Sequence, residues 1–280
     1  MSGKKHKREL KRQREALKEQ QRQAERRKSL ITAGIVGLVV LIGLGLIWDT
    51  IRTERAVETA AACGAKKPEA ADAERPQSLP EAPSMSLVPG DYTAVIETSC
   101  GKMTVDLYED RTPATVNNFV ALAAIKFYDG LQVFRHAPSI FALQTGSATN
   151  AADFQIGYTF ADELAAAQSE GYTPGSLAMA NSGPNTNGSQ FFFTYDKSEL
   201  PPQYSKFGNL TEGVGALKAM AKVEVDGEAP KEPIYIESVE IFVDGKPLED
   251  VIEANKPTPS ATASASASPS ASPSATPGKE

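Results

Sequence analysis

The side chains best suited to chemistry crowd into one run, Gly175-Ser-Leu-Ala-Met-Ala-Asn-Ser-Gly-Pro-Asn-Thr-Asn-Gly-Ser-Gln-Phe-Phe-Phe193. It reads as a strand, a turn-rich loop and a second strand. The loop, residues 181–188, is dense in amide and hydroxyl groups able to hydrogen-bond a peptide. Composition alone favours a plainer reading, a polar connection between two strands. The patterns of other chemistries are missing: there is no GxSxG, no GxxxxGK[ST] and no HExxH. Cys63 and Cys100 are the only cysteines, form no CxxC pair, and lie far in sequence from His6 and His136. No metal and no cofactor is therefore expected.

These residues need a scaffold, and its elements are legible on either side. Tyr92, Ala94 and Ile96 alternate with Thr93, Val95 and Glu97, then Ser99-Cys100-Gly101-Lys102 turns the chain into an alternating Met103, Val105 and Leu107, a hairpin. Thr112 is a good N-cap and Pro113 suits the first helical position. Val116, Phe119, Val120 and Ala123 then form one apolar stripe, which ends near the turn Tyr128-Asp129-Gly130. Residues 191–195 form a middle strand. A second helix covers residues 214–222, with Val214, Leu217 and Ala221 on one face, and a last strand covers 234–243. Many strands with two isolated helices predict a mainly β antiparallel barrel or sandwich.

The 280 residues carry a net charge of −6, distributed unevenly. Residues 1–29 hold 12 Lys/Arg against 4 Glu, and residues 30–48 hold no charge at all. The latter is about the ~20 apolar residues that cross a bilayer, with Trp48 at the interface. An uncleaved signal anchor is expected, with the basic segment cytoplasmic and the remainder outside the cell membrane. The basic head lacks aromatic residues for stacking on bases, so nucleic acid is not an expected partner. Residues 49–88, rich in Ala, Glu, Pro and Lys, read as a linker from the membrane. Residues 89–247 form the folded domain, and residues 248–280 a disordered tail rich in Pro, Ser, Ala and Thr. Outside the cytoplasm, a disulfide between Cys63 and Cys100 is expected to pin the linker beside the first hairpin.

The run Met179-Ala-Asn-Ser-Gly-Pro-Asn-Thr-Asn-Gly-Ser-Gln-Phe-Phe closely resembles the signature of the cyclophilins, peptidyl-prolyl cis–trans isomerases. Supporting stretches cover most of residues 91–243. They include Thr112-Pro-Ala-Thr-Val-Asn-Asn-Phe, Gly157-Tyr-Thr-Phe-Ala-Asp-Glu163 and Leu200-Pro-Pro-Gln-Tyr-Ser-Lys-Phe-Gly208. The resemblance implies an eight-stranded antiparallel barrel capped by two helices. Carried across by position, Phe141, Phe192 and Leu200 match the family's apolar proline pocket, and Ala142 replaces its usual methionine and widens the pocket. Tyr204 falls where many members have histidine. Gln144 and Gln190 match groups lining the groove, and Ala180, Asn181 and Ser182 match the edge whose backbone holds the peptide.

The chemistry so implied needs no nucleophile. Rotation about an Xaa-Pro bond breaks amide resonance, over a barrier of about 18–20 kcal/mol. A protein accelerates it by binding the twisted bond better than either planar form. In cyclophilins an arginine in a Phe-His-Arg segment donates a hydrogen bond to the prolyl nitrogen. Here the segment is Phe134-Arg135-His136. If the spacing to Phe141 and Gln144 is kept, His136 takes the arginine's position, and strand alternation turns Arg135 away from the pocket. A one-residue slip or bulge restores it. Two functions stay open. One is an isomerase assisting folding of extracytoplasmic proteins, acting as a monomer on proline-containing polypeptides, with Arg135 or protonated His136 as donor and Gln144 beside it. The other is a non-catalytic proline-peptide binding module or scaffold. The family's Gly-Gly-Asp after the glutamine is replaced by Thr145-Gly146-Ser147.

Overall fold

The computed structural model describes residues 60–254. The expected cytoplasmic segment, the signal anchor at 30–48, the start of the linker and the chain beyond 254 lie outside the described residues. Among the described residues no helix is long and apolar enough to cross a membrane.

In chain order the elements are β1 (Tyr92–Thr98), β2 (Gly101–Leu107), α1 (Pro113–Ala124), β3 (Arg135–Ala137), β4 (Ala142–Thr145), α2 (Ala165–Glu170), β5 (Ser176–Met179) and β6 (Phe191–Thr194). They continue with β7 (Lys206–Glu212), α3 (Val214–Met220), β8 (Val225–Asp226), β9 (Ala229–Pro230), β10 (Ile236–Val243), β11 (Lys246–Pro247) and α4 (Leu248–Ala254). Nine strands form one antiparallel sheet in the order β11-β10-β1-β2-β7-β5-β6-β4-β3, while β8 and β9 make a separate hairpin. The stretch entering β3 closes back on the start of β10: Gln132 bridges Tyr235, and Val133 N–H donates to the Ile234 carbonyl at 2.8 Å. The mainly β architecture agrees with the alternating patterns. The sheet has nine strands where eight were expected, its two ends formed by the short β3 and β11.

The core fills the curve of this sheet. Phe119 from α1 meets Phe191 edge-on at 5.4 Å, stacks on Tyr128 at 5.1 Å and touches Phe207 at 5.2 Å. Each of these rings is fully buried, which makes this cluster a large share of the apolar surface removed from water. The first helix starts at Pro113 as expected, but Thr112 does not cap it; its hydroxyl donates to the Tyr108 carbonyl instead. The cap comes from 48 residues away, where Glu163 accepts from Thr115 N–H at 2.8 Å and Thr115 Oγ1 at 2.7 Å. A carboxylate there also meets the positive end of the helix dipole.

Two boundaries change. From Ala60 onward the expected linker is a strap bound to the sheet. Cys63 is bonded to Cys100 in the β1–β2 turn, and Ala62 N–H donates to the Pro233 carbonyl at 2.9 Å. Further along, Leu79 N–H donates to Ile156 O at 2.6 Å, and the Asn117 amide brackets the Met85 backbone with bonds of 3.0 and 2.7 Å. Gly130, at φ 77°, lies so close under Ala70 that a Cβ there would sit 2.2 Å from its carbonyl carbon. Sparse apolar residues hid this attachment: Ala62 enters the core, Leu79, Met85, Leu87 and Val88 pack against it, and scattered hydrogen bonds and the disulfide hold the rest. At the other end, residues 248–254, expected to belong to the disordered tail, form α4 with Leu248 buried.

Candidate functional site

The site is built on the three-strand patch β3-β4-β6, flanked by β5. Its register is explicit: Arg135 pairs with Gln144, Gln144 with Phe192, and Phe192 with Ala178. Residues directly opposite one another in a ladder point to the same face. Arg135, Gln144 and Phe192 therefore stand in one row on the outer face. The next row, His136, Leu143 and Phe193, points the other way. Of the two readings left open, a straight exchange that turns Arg135 away and a one-residue slip that restores it, the structure takes the second. The physical cause is the turn: Pro138–Ile140 form a single 3-10 turn and Phe141 follows with φ 54°, which absorbs one residue before β4 begins.

The same turn moves the pocket phenylalanine. Phe141 does not line the hollow; left-handed backbone swings it to the other side, where its ring packs edge-on to Tyr195 at 5.8 Å. Ile140 takes the vacated wall beside Ala142, Phe192, Leu200 and Tyr204. The hollow so formed has a volume of about 220 Å³ and is open to solvent on one side. Phe192 is its floor, 5% exposed, with Tyr204 edge-on at 5.5 Å. Tyr204 is fixed through Tyr172, whose hydroxyl donates to the Tyr204 carbonyl at 2.8 Å and accepts from its N–H at 3.0 Å. Burial pushes the Tyr172 phenol up to about 12, so it stays protonated as that donor.

A polar chain crosses the mouth. Arg135 Nη1 donates to Gln144 Oε1 at 3.1 Å, Gln144 Nε2 donates to Gln190 Oε1 at 2.8 Å, and Gln190 Nε2 donates to the Phe154 carbonyl at 2.8 Å. Beyond Gln144 a second, smaller recess of about 50 Å³ runs between residues 180–182 and the 152–156 loop. On that rim Ala180 N–H is bonded to Gln190 O, Ser182 N–H donates to Thr186 Oγ1, and the Asn181 side chain donates to the Gln203 carbonyl. The loop that could have been a plain polar connection thus forms one bank of a groove.

His136 lies on the opposite face, 3% exposed, with Nε2 3.1 Å from Tyr195 Oη. Burial lowers its pKa below the ordinary histidine value, so it is neutral near pH 7 and is no substitute cation. Ile140, Ala152 and Glu228 were missed by sequence reasoning. Ile140 enters the wall only through the turn geometry at 138–141, and Glu228 grips the Arg135 guanidinium from 93 residues away, so neither left a local signal. Among the described residues no group of three or more His, Cys, Asp or Glu gathers that could hold a metal ion.

Residues 93–241 match the family described as cyclophilin type peptidyl-prolyl cis-trans isomerase/CLD. The chain belongs to the cyclophilins. This cyclophilin is 36% identical over 166 residues to a protein named probable peptidyl-prolyl cis-trans isomerase B of Mycobacterium tuberculosis, covering 55% of this chain and 54% of that one. Its Mycobacterium leprae counterpart is 34% identical over 191 residues, with 62% and 65% covered. The chain thus spans about half to two thirds of the length of these mycobacterial relatives. Human peptidyl-prolyl cis-trans isomerase-like 3 is 33% identical over 155 residues, 53% of this cyclophilin and 95% of the human chain. Among solved structures, a Cryptosporidium parvum cyclophilin superposes with a TM-score of 0.51 at 29% identity, over 54% of this chain and 98% of the other. A second structure of that protein, determined in the presence of the dipeptide Ala-Pro, gives 0.50.

Proposed function

We propose that this cyclophilin catalyses cis–trans isomerisation of Xaa-Pro bonds in polypeptides, with the proline ring in the hollow over Phe192 and Arg135 as the donor to the prolyl nitrogen. One observation carries the reading: the guanidinium stands in the same row as Gln144 and Phe192, beside an apolar hollow of about 220 Å³. A ring held there leaves its amide at the Arg135 edge. As the bond twists, the nitrogen turns pyramidal and gains a lone pair that a cationic N–H binds far better than the planar amide. That preference for the twisted form lowers a barrier which otherwise holds isomerisation to tens or hundreds of seconds. The groove beyond Gln144, with the 180–182 rim on one side, suits the residues that precede proline. The Ala-Pro dipeptide used with the Cryptosporidium relative supports this substrate class.

The clients in this reading are proteins folding outside the membrane. The Cys63–Cys100 disulfide supports an oxidising compartment, and the basic head followed by the uncharged 30–48 run supports a single-pass anchor with its N-terminus in the cytoplasm. Exchange spectroscopy on an Ala-Pro peptide with the full chain tests the activity. Catalysed exchange well above the spontaneous rate is expected; exchange equal to buffer rejects it in favour of a binding module. Protease added to intact spheroplasts should digest the domain while sparing cytoplasmic markers, and full protection would reject the topology.

A further inference from the structure

The carboxylate of Glu228 grips Arg135 from outside the barrel's own row. Nε donates to Glu228 Oε2 at 2.6 Å and Nη2 to Oε1 at 3.2 Å, a side-on bidentate pair. With the Nη1 bond to Gln144, three of the five guanidinium N–H groups are taken, leaving one on each Nη. Glu228 sits in the two-residue loop of the β8–β9 hairpin, after Gly227 at φ 64°. The hairpin is anchored independently of the ion pair, since His136 N–H donates to the Glu228 carbonyl at 2.7 Å. The main chain beside Arg135 therefore holds the very residue whose side chain orients Arg135.

We infer that Glu228 is the positioning residue of this cyclophilin's arginine. The argument rests on the isomerase reading above. The Arg135 side chain is 34% exposed and long, so one bond to Gln144 leaves its fork free to rotate and drift into solvent. A bidentate carboxylate fixes both the plane and the edge of a guanidinium, which a single acceptor does not. Catalysis by a donor depends on aim at the twisted state, where small misplacements cost large factors. Peptide binding in the hollow, by contrast, needs Phe192 and Leu200 and little from Glu228. The ion pair itself is too exposed to matter much for stability.

The test is a double-mutant cycle with the full chain. Glu228→Ala should lower kcat about 10-fold and shift KM less than about 2-fold, with an unchanged melting temperature. Glu228→Gln, which keeps one acceptor, should recover part of the loss. In an Arg135→Ala background, Glu228→Ala should have no further effect, because it acts through that arginine alone. Unchanged or faster turnover in Glu228→Ala, or an additive loss in the double variant, overturns the inference while the isomerase reading stands. Buffer-level exchange by the unaltered chain removes both.

Discussion

Arg135 and His136 are neighbours in the chain, yet the two faces of one strand give them opposite lives. On the outer face, Arg135 keeps its charge in partial contact with water, held by Glu228 and Gln144. On the inner face, His136 loses its charge to burial and packs edge-on against the half-buried ring of Tyr195. The same division recurs at Phe192 and Phe193, one flooring the hollow and the other fully buried in the core. A three-residue strand thus separates function from stability by parity alone. Whatever shifts the register by one residue exchanges the two roles.

The phenylalanine pair should show the largest contrast. Phe193→Ala is expected to cost about 3–5 kcal/mol in denaturant unfolding, as a large core truncation. Phe192→Ala should cost clearly less, because its ring already borders an open hollow, and should raise KM for an Ala-Pro peptide instead. Equal stability losses would break the division between faces. Next comes the donor. Arg135→Ala should lower kcat/KM about 100-fold, equivalent to about 2.7 kcal/mol of transition-state binding, whereas His136→Ala should leave it within about 3-fold. A larger catalytic loss from His136→Ala would reverse the assignment.

The inner face also predicts a pH effect. Burial holds His136 below its ordinary value of 6.5, so the unfolded chain takes up the proton more readily than the folded one. Its contribution to stability is complete above 6.5 and declines as pH falls from there towards the lower folded value, by at most about 1.4 kcal/mol per pH unit. Thermal melts between pH 7 and pH 5 should slope less in His136→Gln; parallel slopes would contradict the burial of a neutral ring. The smallest effect is expected at Ala142. Ala142→Met adds apolar surface to the hollow, and if the bound ring covers one further methylene, at about 0.8 kcal/mol per buried CH₂, a KM roughly 4-fold lower is expected with kcat unchanged. A higher KM would mean that the hollow is already filled by the bound ring.

Local pattern carried much of the architecture. The β1–β2 hairpin, the apolar stripe of the first helix and the Phe191–Thr194 strand were legible because alternation and helical spacing report which face is buried. The run from Gly175 to Phe193 was long and ordered enough to mark the groove. Strand parity at Arg135 was not legible, since it depends on how many residues the Pro138–Ile140 turn absorbs before pairing resumes. Nor were the strap and Glu228: both are held by partners dozens of residues away, through main-chain bonds, a disulfide and an ion pair that leave no local periodicity. The sequence alone determined the mainly β architecture, because alternation and helical spacing report burial, and its resemblance to the cyclophilins implied most of the hollow's residues, because a long ordered run keeps its positions. Only the tertiary structure decided that Arg135 faces the hollow, that Ile140 replaces Phe141 in its wall, and that Glu228 fixes the guanidinium, because direction and long-range contact are properties of the folded chain.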